Sequence, residues 1–99
     1  MEALSKERLD KYFDITGRAL KKAKIVDKGE VKNWKESADD FFDMAQRYYD
    51  DACHFNEQGR HMDAFAALNY AHGWLDAGAR LGLFDVDGDN ELFTVDADE

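Results

Sequence analysis

Residues 48–83 carry the pattern that most restricts the fold of this chain. Two segments in which apolar residues recur with the period of a helix are separated there by Gly59. Apolar residues recur every three or four positions on both sides of Gly59, which is typical of amphipathic helices. Glycine readily adopts the left-handed conformation that ends many helices, so a tight turn is expected at Gln58-Gly59-Arg60. This region therefore predicts a helical hairpin, with a second helix over about residues 33–58 and a third over about 61–82.

The residues before this hairpin predict one more helix. Ser5 suits an N-cap, an apolar stripe follows it, and a connector containing Gly29 places the helix end near Ile25. The chain has no proline, which favours long uninterrupted helices. We therefore expect an all-α fold, a three-helix up-and-down antiparallel bundle formed by residues 1–84. Residues 85–99 are an acidic C-terminal tail that forms either a short hairpin or a loosely docked end.

Small side chains in the third helix predict that another helix approaches it closely. Gly73 lies inside this helix, where a glycine costs roughly 1 kcal/mol relative to alanine. A close backbone contact is expected to compensate for that cost.

The net charge of −9 is unevenly distributed along the chain. Residues 1–35 hold ten basic residues against six acids, whereas residues 36–99 hold three against sixteen. An acidic majority repels phosphate at long range, so nucleic acid is not an expected partner.

The single Cys53 indicates a reducing compartment, and no apolar run approaches the roughly 20 residues that cross a bilayer. We expect a soluble cytoplasmic protein without a membrane partner.

Several positions of the hairpin resemble a known family. They are Tyr48-Tyr49-x-Asp51-Ala52-x-x-Phe55, then Gly59, then Ala64-x-Ala66-Ala67-x-Asn69-Tyr70-Ala71-x-Gly73-x-Leu75-Asp76-Ala77, and Leu81-Gly82-Leu83. The pattern is similar to an archaeal family called domain of unknown function 357, over roughly residues 5–84. The resemblance implies a three-helix bundle and an archaeal source, and it implies no activity. The excess of fifteen aspartates over seven glutamates also resembles proteins of salt-loving archaea, where screening lowers the cost of surface acids.

A polar series in the third helix is the first candidate site. Its members recur at steps of three, four and four residues, which places them on one helical face. They are Asn69, His72, Asp76 and Arg80. In a hairpin that turns at Gly59, Arg47 should lie level with His72 and join them. The cluster is either an ion-pair network that fixes the register of the hairpin, or a small anion or acid–base site with His72 as proton carrier.

Two further patterns suggest chemistry. Arg47 and His54 stand seven residues apart, as in the arginine–histidine motif of HEPN ribonucleases, although this spacing is common by chance and the acids between them disfavour RNA. The tail resembles an EF-hand calcium loop, with acids at alternate positions and at the twelfth. The candidate calcium ligands are Asp85, Asp87, Asp89, Glu91 and Asp96. The loop lacks the usual glycine and room for an exit helix, so any calcium binding is expected to be weak.

The aromatic content favours association over catalysis. Seven Phe, four Tyr and two Trp exceed what one thin bundle can bury, and any that stay exposed in a patch would mark an interface. No motif indicates a cofactor, and none is expected. We predict a non-enzymatic protein-interaction or oligomerisation module that binds a protein partner or itself as a homo-oligomer. The alternatives are a ligand-binding or hydrolytic site at the polar cluster, and weak calcium binding by the tail.

Overall fold

The computed structural model describes residues 4–94 and confirms the all-α three-helix bundle. Helix α1 spans Lys6–Lys22, α2 spans Trp34–Glu57 and α3 spans His61–Leu81. The largest interface lies between α2 and α3, and α1 packs mainly on α3. Among the described residues, no helix combines the length and the apolar character needed to span a membrane.

Helix α1 begins as predicted and ends earlier. The Arg8 amide donates to Ser5 Oγ at 3.1 Å, which confirms Ser5 as the N-cap. The predicted end near Ile25 is wrong, because Lys24–Ile25 is extended and forms strand β1. This strand pairs antiparallel with strand β2, Phe84–Asp85, and a long-range pairing of this kind leaves no trace in helical periodicity.

The predicted turn between α2 and α3 is confirmed. Gly59 has a φ of 76°, which glycine adopts without the steric cost that other residues pay. The Arg60 amide donates to the Phe55 carbonyl at 2.9 Å and closes the end of α2. The two longest helices therefore lie side by side within a few residues of this turn.

Small residues line the contact between α2 and α3. The buried residues of α2 are Ala38, Ala45 and Ala52, each fully shielded from solvent and seven positions from the next. The buried residues of α3 show the same predominance of small side chains: Ala64, Ala67, Leu68, Ala71, Leu75 and Gly78. Small side chains let two helix axes come close, so little space for aromatic rings is left between them.

The segment after α3 belongs to the hydrophobic core. Leu83, Phe84, Val86, Leu92 and Phe93 are each less than 7% exposed and pack with residues of α1, α2 and α3. The sequence left open a short hairpin or a loosely docked end for this segment; in the described residues β2 pairs instead with β1, and the chain then turns at residues 87–90 to return to the core. The core therefore continues past residue 84 to Phe93.

Gly78 provides a sharp test of this packing. A Cβ built on Gly78 overlaps the ring of Phe84, which is itself 3% exposed. We expect Gly78→Ala to lower the free energy of unfolding by about 2 kcal/mol, because overpacking outweighs the roughly 1 kcal/mol gained in helix propensity. Urea unfolding followed by circular dichroism in dilute protein measures the change.

Gly73→Ala is the matched control, with the same substitution in the same helix. Outside its own helix backbone and its chain neighbours, no described atom lies within 4 Å of a Cβ built there. This variant should be about 1 kcal/mol more stable than the native chain. Equal losses in the two variants would contradict the packing of Phe84 on Gly78.

Candidate functional site

Three of the predicted cluster residues meet on the side of α3 that faces α1 and the C-terminal segment. His72 Nδ1 lies 3.2 Å from Oγ1 of Thr16, a residue of α1 that is 1% exposed. His72 Nε2 lies 3.8 Å from Asp76 Oδ1, one turn further along α3. Both side chains are largely shielded, at 21% and 25% exposure, so this contact is better protected from solvent screening than a surface pair.

Asp76 and Arg80 hold the C-terminal segment through Thr94. The Thr94 amide donates to Asp76 Oδ1 at 2.8 Å, and its hydroxyl donates to Oδ2 at 3.1 Å. Arg80 Nη1 donates to the Thr94 carbonyl at 3.1 Å. Hydrogen bonds to charged groups are the stronger class, so this arrangement tethers the segment to α3. We call His72, Asp76, Arg80 and Thr94 the C-terminal tether.

The structure places Arg47 and Asn69 apart from the C-terminal tether. Arg47 Nε pairs with Asp43 Oδ2 at 2.8 Å on the outer face of α2, and its side chain is 71% exposed. Asn69 lines a different groove, together with Phe41 and Tyr70. The turn at Gly59 sets which residues are level, but the small-residue contact decides which way each helix faces, and it turns His72 towards α1.

A groove of about 520 Å³ runs beside the tether, lined by His72, Asp76, Arg80 and residues 90–94. Both carboxylate oxygens of Asp76 accept hydrogen bonds from Thr94, and Arg80 donates to the same residue. These groups are therefore hydrogen-bonded to the chain itself. The segment they hold is the C-terminal one, however, and the register of α2 is held elsewhere.

The acids of the tail serve local backbone contacts. Asp85 Oδ1 accepts from the Asp87 amide at 3.0 Å, and Asp89 Oδ1 accepts from the amides of Glu91 and Leu92 at 3.0 Å. Within residues 4–94 there is no group of three or more His, Cys, Asp or Glu side chains that could hold a metal ion. Asp96, the predicted twelfth ligand, lies outside the described residues.

The ribonuclease-like pair in α2 is not supported by its contacts. Arg47 is ion-paired with Asp43. His54 is exposed, and its Nε2 lies 3.2 Å from the side-chain nitrogen of Gln58, which is also exposed and directly follows α2. Nearby, burial raises the pKa of the Cys53 thiol, and the charges of Asp50 and Glu57 raise it further. The thiol is therefore kept protonated, as expected for a packing cysteine.

An apolar stripe runs along the outer face of α3, away from α1. Its residues are separated by four, four, three, four and four positions and are all exposed: Met62, Ala66, Tyr70, Gly73, Ala77 and Leu81. We call these six residues the outer stripe. Five large apolar residues of the described chain are strongly exposed, and three of them lie here, with 66%, 57% and 61% exposure for Met62, Tyr70 and Leu81.

Aromatic residues of α2 border the outer stripe. Tyr48 packs against Tyr70 with ring centroids 4.4 Å apart, and Phe41 packs edge-on against Trp74 at 5.0 Å. Between these pairs lies an open groove of about 360 Å³, lined by Phe41, Asn69, Tyr70, Gly73, Trp74 and Ala77. Sequence reasoning identified the small residues of α3 and missed the stripe, although its spacing is a second apolar period on the same helix.

The chain matches the model of a family described as "Protein of unknown function (DUF357)" over residues 11–84. It belongs to that family. No curated protein and no solved structure matches the chain significantly. In this DUF357 chain the matched region contains the whole outer stripe and the α3 part of the tether, whereas Thr94 lies beyond it.

The tether generates a stability prediction for this DUF357 chain. Asp76→Ala removes both acceptors of Thr94, so we expect a loss of about 1–2 kcal/mol in the free energy of unfolding. The amide of Thr94 should also exchange faster with solvent, as hydrogen exchange by NMR would show. Asp14→Ala is the control, because Asp14 is exposed and its ion pair with Arg18 is a longer surface contact at 3.6 Å. Equal effects of the two substitutions would contradict the tether.

Proposed function

We propose that this protein is a non-enzymatic association module that binds a second copy of itself through the outer stripe of α3. The observation that carries the proposal is the concentration of exposed apolar surface on one helical face, where Met62, Tyr70 and Leu81 are each more than half exposed. Contiguous exposed apolar surface is uncommon on monomers and is typical of interaction sites. The charged groups of the C-terminal tether, in contrast, are hydrogen-bonded to the chain's own backbone at Thr94.

Gly73 supports the same proposal. A glycine inside a helix costs roughly 1 kcal/mol, and the close contact expected to compensate is absent from the described chain. The groove above Gly73 is bordered by aromatic rings and is open to solvent. A helix from a second molecule could approach the backbone closely at this point, as small residues permit in helix–helix contacts.

The high net charge sets the conditions for association. Two copies with a charge of −9 each repel one another, and salt shortens the range of that repulsion. We therefore propose that association strengthens with salt, and that the protein works in the salt-rich cytoplasm of an archaeon. Kosmotropic salts such as sulfate and phosphate also strengthen apolar burial, so in those salts both effects act in the same direction.

Sedimentation equilibrium over a range of protein concentrations tests this function. At about 1 M KCl, where the Debye length is about 3 Å, we expect a dimer that is weakened at about 0.1 M. Leu81→Glu should raise the dimer dissociation constant about tenfold or more, because an unpaired charge would be buried in the contact. Leu81 is 61% exposed in the single chain, so the fold itself should tolerate the change.

Val31→Glu is the matched control for this experiment. Val31 is 49% exposed, lies in the connector before α2, and gains the same charge on substitution. Its dissociation constant should remain within about twofold of the native value. A native protein that stays monomeric at both salt concentrations, or equal weakening by the two variants, would defeat the proposal.

A further inference from the structure

We infer that two copies of this chain pack α3 against α3 in antiparallel orientation, about a two-fold axis between residues 71 and 72. This inference rests on the proposed function and specifies its geometry. The partner is a second copy of the chain, and the contact surface is the outer stripe. A symmetric pair of this kind requires a surface that is complementary to itself.

The spacing of the outer stripe has the required symmetry. Its steps of four, four, three, four and four residues read the same from either end of the helix. When two such helices run in opposite directions, each stripe residue meets a stripe residue of the other copy. Met62 lies level with Leu81 of the second copy, Ala66 with Ala77, and Tyr70 with Gly73.

Side-chain size is also complementary at these levels. Tyr70 is the largest residue of the stripe, and its ring is held in place by Tyr48 at 4.4 Å. In the antiparallel register it lies level with Gly73 of the second copy, which lines an open groove together with Phe41 and Trp74. At the neighbouring level two alanines meet, which allows the helix axes to come close. The large Tyr70 side chain of one copy therefore lies at the level of the open groove beside Gly73 of the other copy.

The dipole of α3 favours the antiparallel over the parallel orientation. Two helix dipoles that lie side by side are opposed in the antiparallel pair, which places the positive end of each helix beside the negative end of the other and is the favourable arrangement.

Disulfide trapping tests the register. In a Cys53→Ser background, Ala66→Cys and Ala77→Cys are prepared as separate proteins, mixed at high salt and oxidised with diamide. These two alanines are exposed, so the single variants should fold. In the inferred register the two positions face each other within disulfide range. Each position is about 17 Å from its own equivalent, at 1.5 Å per residue along the helix.

We expect a cross-linked dimer in the mixture and at least tenfold less in either variant alone, as measured by non-reducing electrophoresis and mass spectrometry. Efficient cross-linking in the single-variant samples would indicate parallel helices and overturn the inference, while leaving self-association intact. A dimer in sedimentation that yields no cross-link in the mixture would overturn it as well, because the contact would lie elsewhere. A monomer in sedimentation would instead defeat the proposed function, so the two failures are distinguishable.

Discussion

The close approach of α2 and α3 across small side chains is the constraint on which the rest of the structure depends. Ala38, Ala45 and Ala52 are fully buried, and no bulky residue of α2 is buried between them. A contact made of alanine and glycine buries less apolar area per residue than one made of leucine. The bundle therefore needs its aromatic residues at the edges of the hairpin, where rings cover the narrow contact from both sides.

The two edges differ in what covers them. On one edge, α1 supplies Tyr12, whose ring lies 4.9 Å from that of Phe65, and Phe13, which packs edge-on against Tyr49 at 6.0 Å. The segment after α3 fills the end of the same side, and Asp76 holds it there. On the other edge the described chain supplies no third helix, so Tyr70 stays exposed on that side of α3. Helix α3 is therefore apolar on two faces, of which one is buried and the other is exposed.

The helices and their turn could be predicted because they depend on local chemistry: the 3.6-residue period and the left-handed conformation of Gly59. The predicted end of α1 and the predicted membership of the cluster depend on long-range contacts, which local chemistry does not indicate. The end of α1 is set by the pairing of Lys24–Ile25 with Phe84–Asp85, which lie 59 to 61 residues further along the chain, and local periodicity carries no information over that distance. Arg47 lies on the exposed face of α2 and pairs with Asp43, since counting from a turn gives level and not rotation. Only His72, Asp76 and Arg80 of the predicted cluster come together, and their partner Thr94 carries no motif that could have marked it.

The acidic charge and the exposed apolar stripe of this small protein act in opposite directions on contact between copies. An apolar face of this kind favours unspecific aggregation, which a net charge of −9 opposes. The charges act over the Debye length, whereas apolar contact acts only when surfaces touch and exclude water. Random encounters between copies are therefore repelled, and a lasting contact requires enough matched apolar surface to overcome that repulsion. A stripe with symmetric spacing can meet this requirement in one register, because any shift along the helix removes Tyr70 from the level of Gly73.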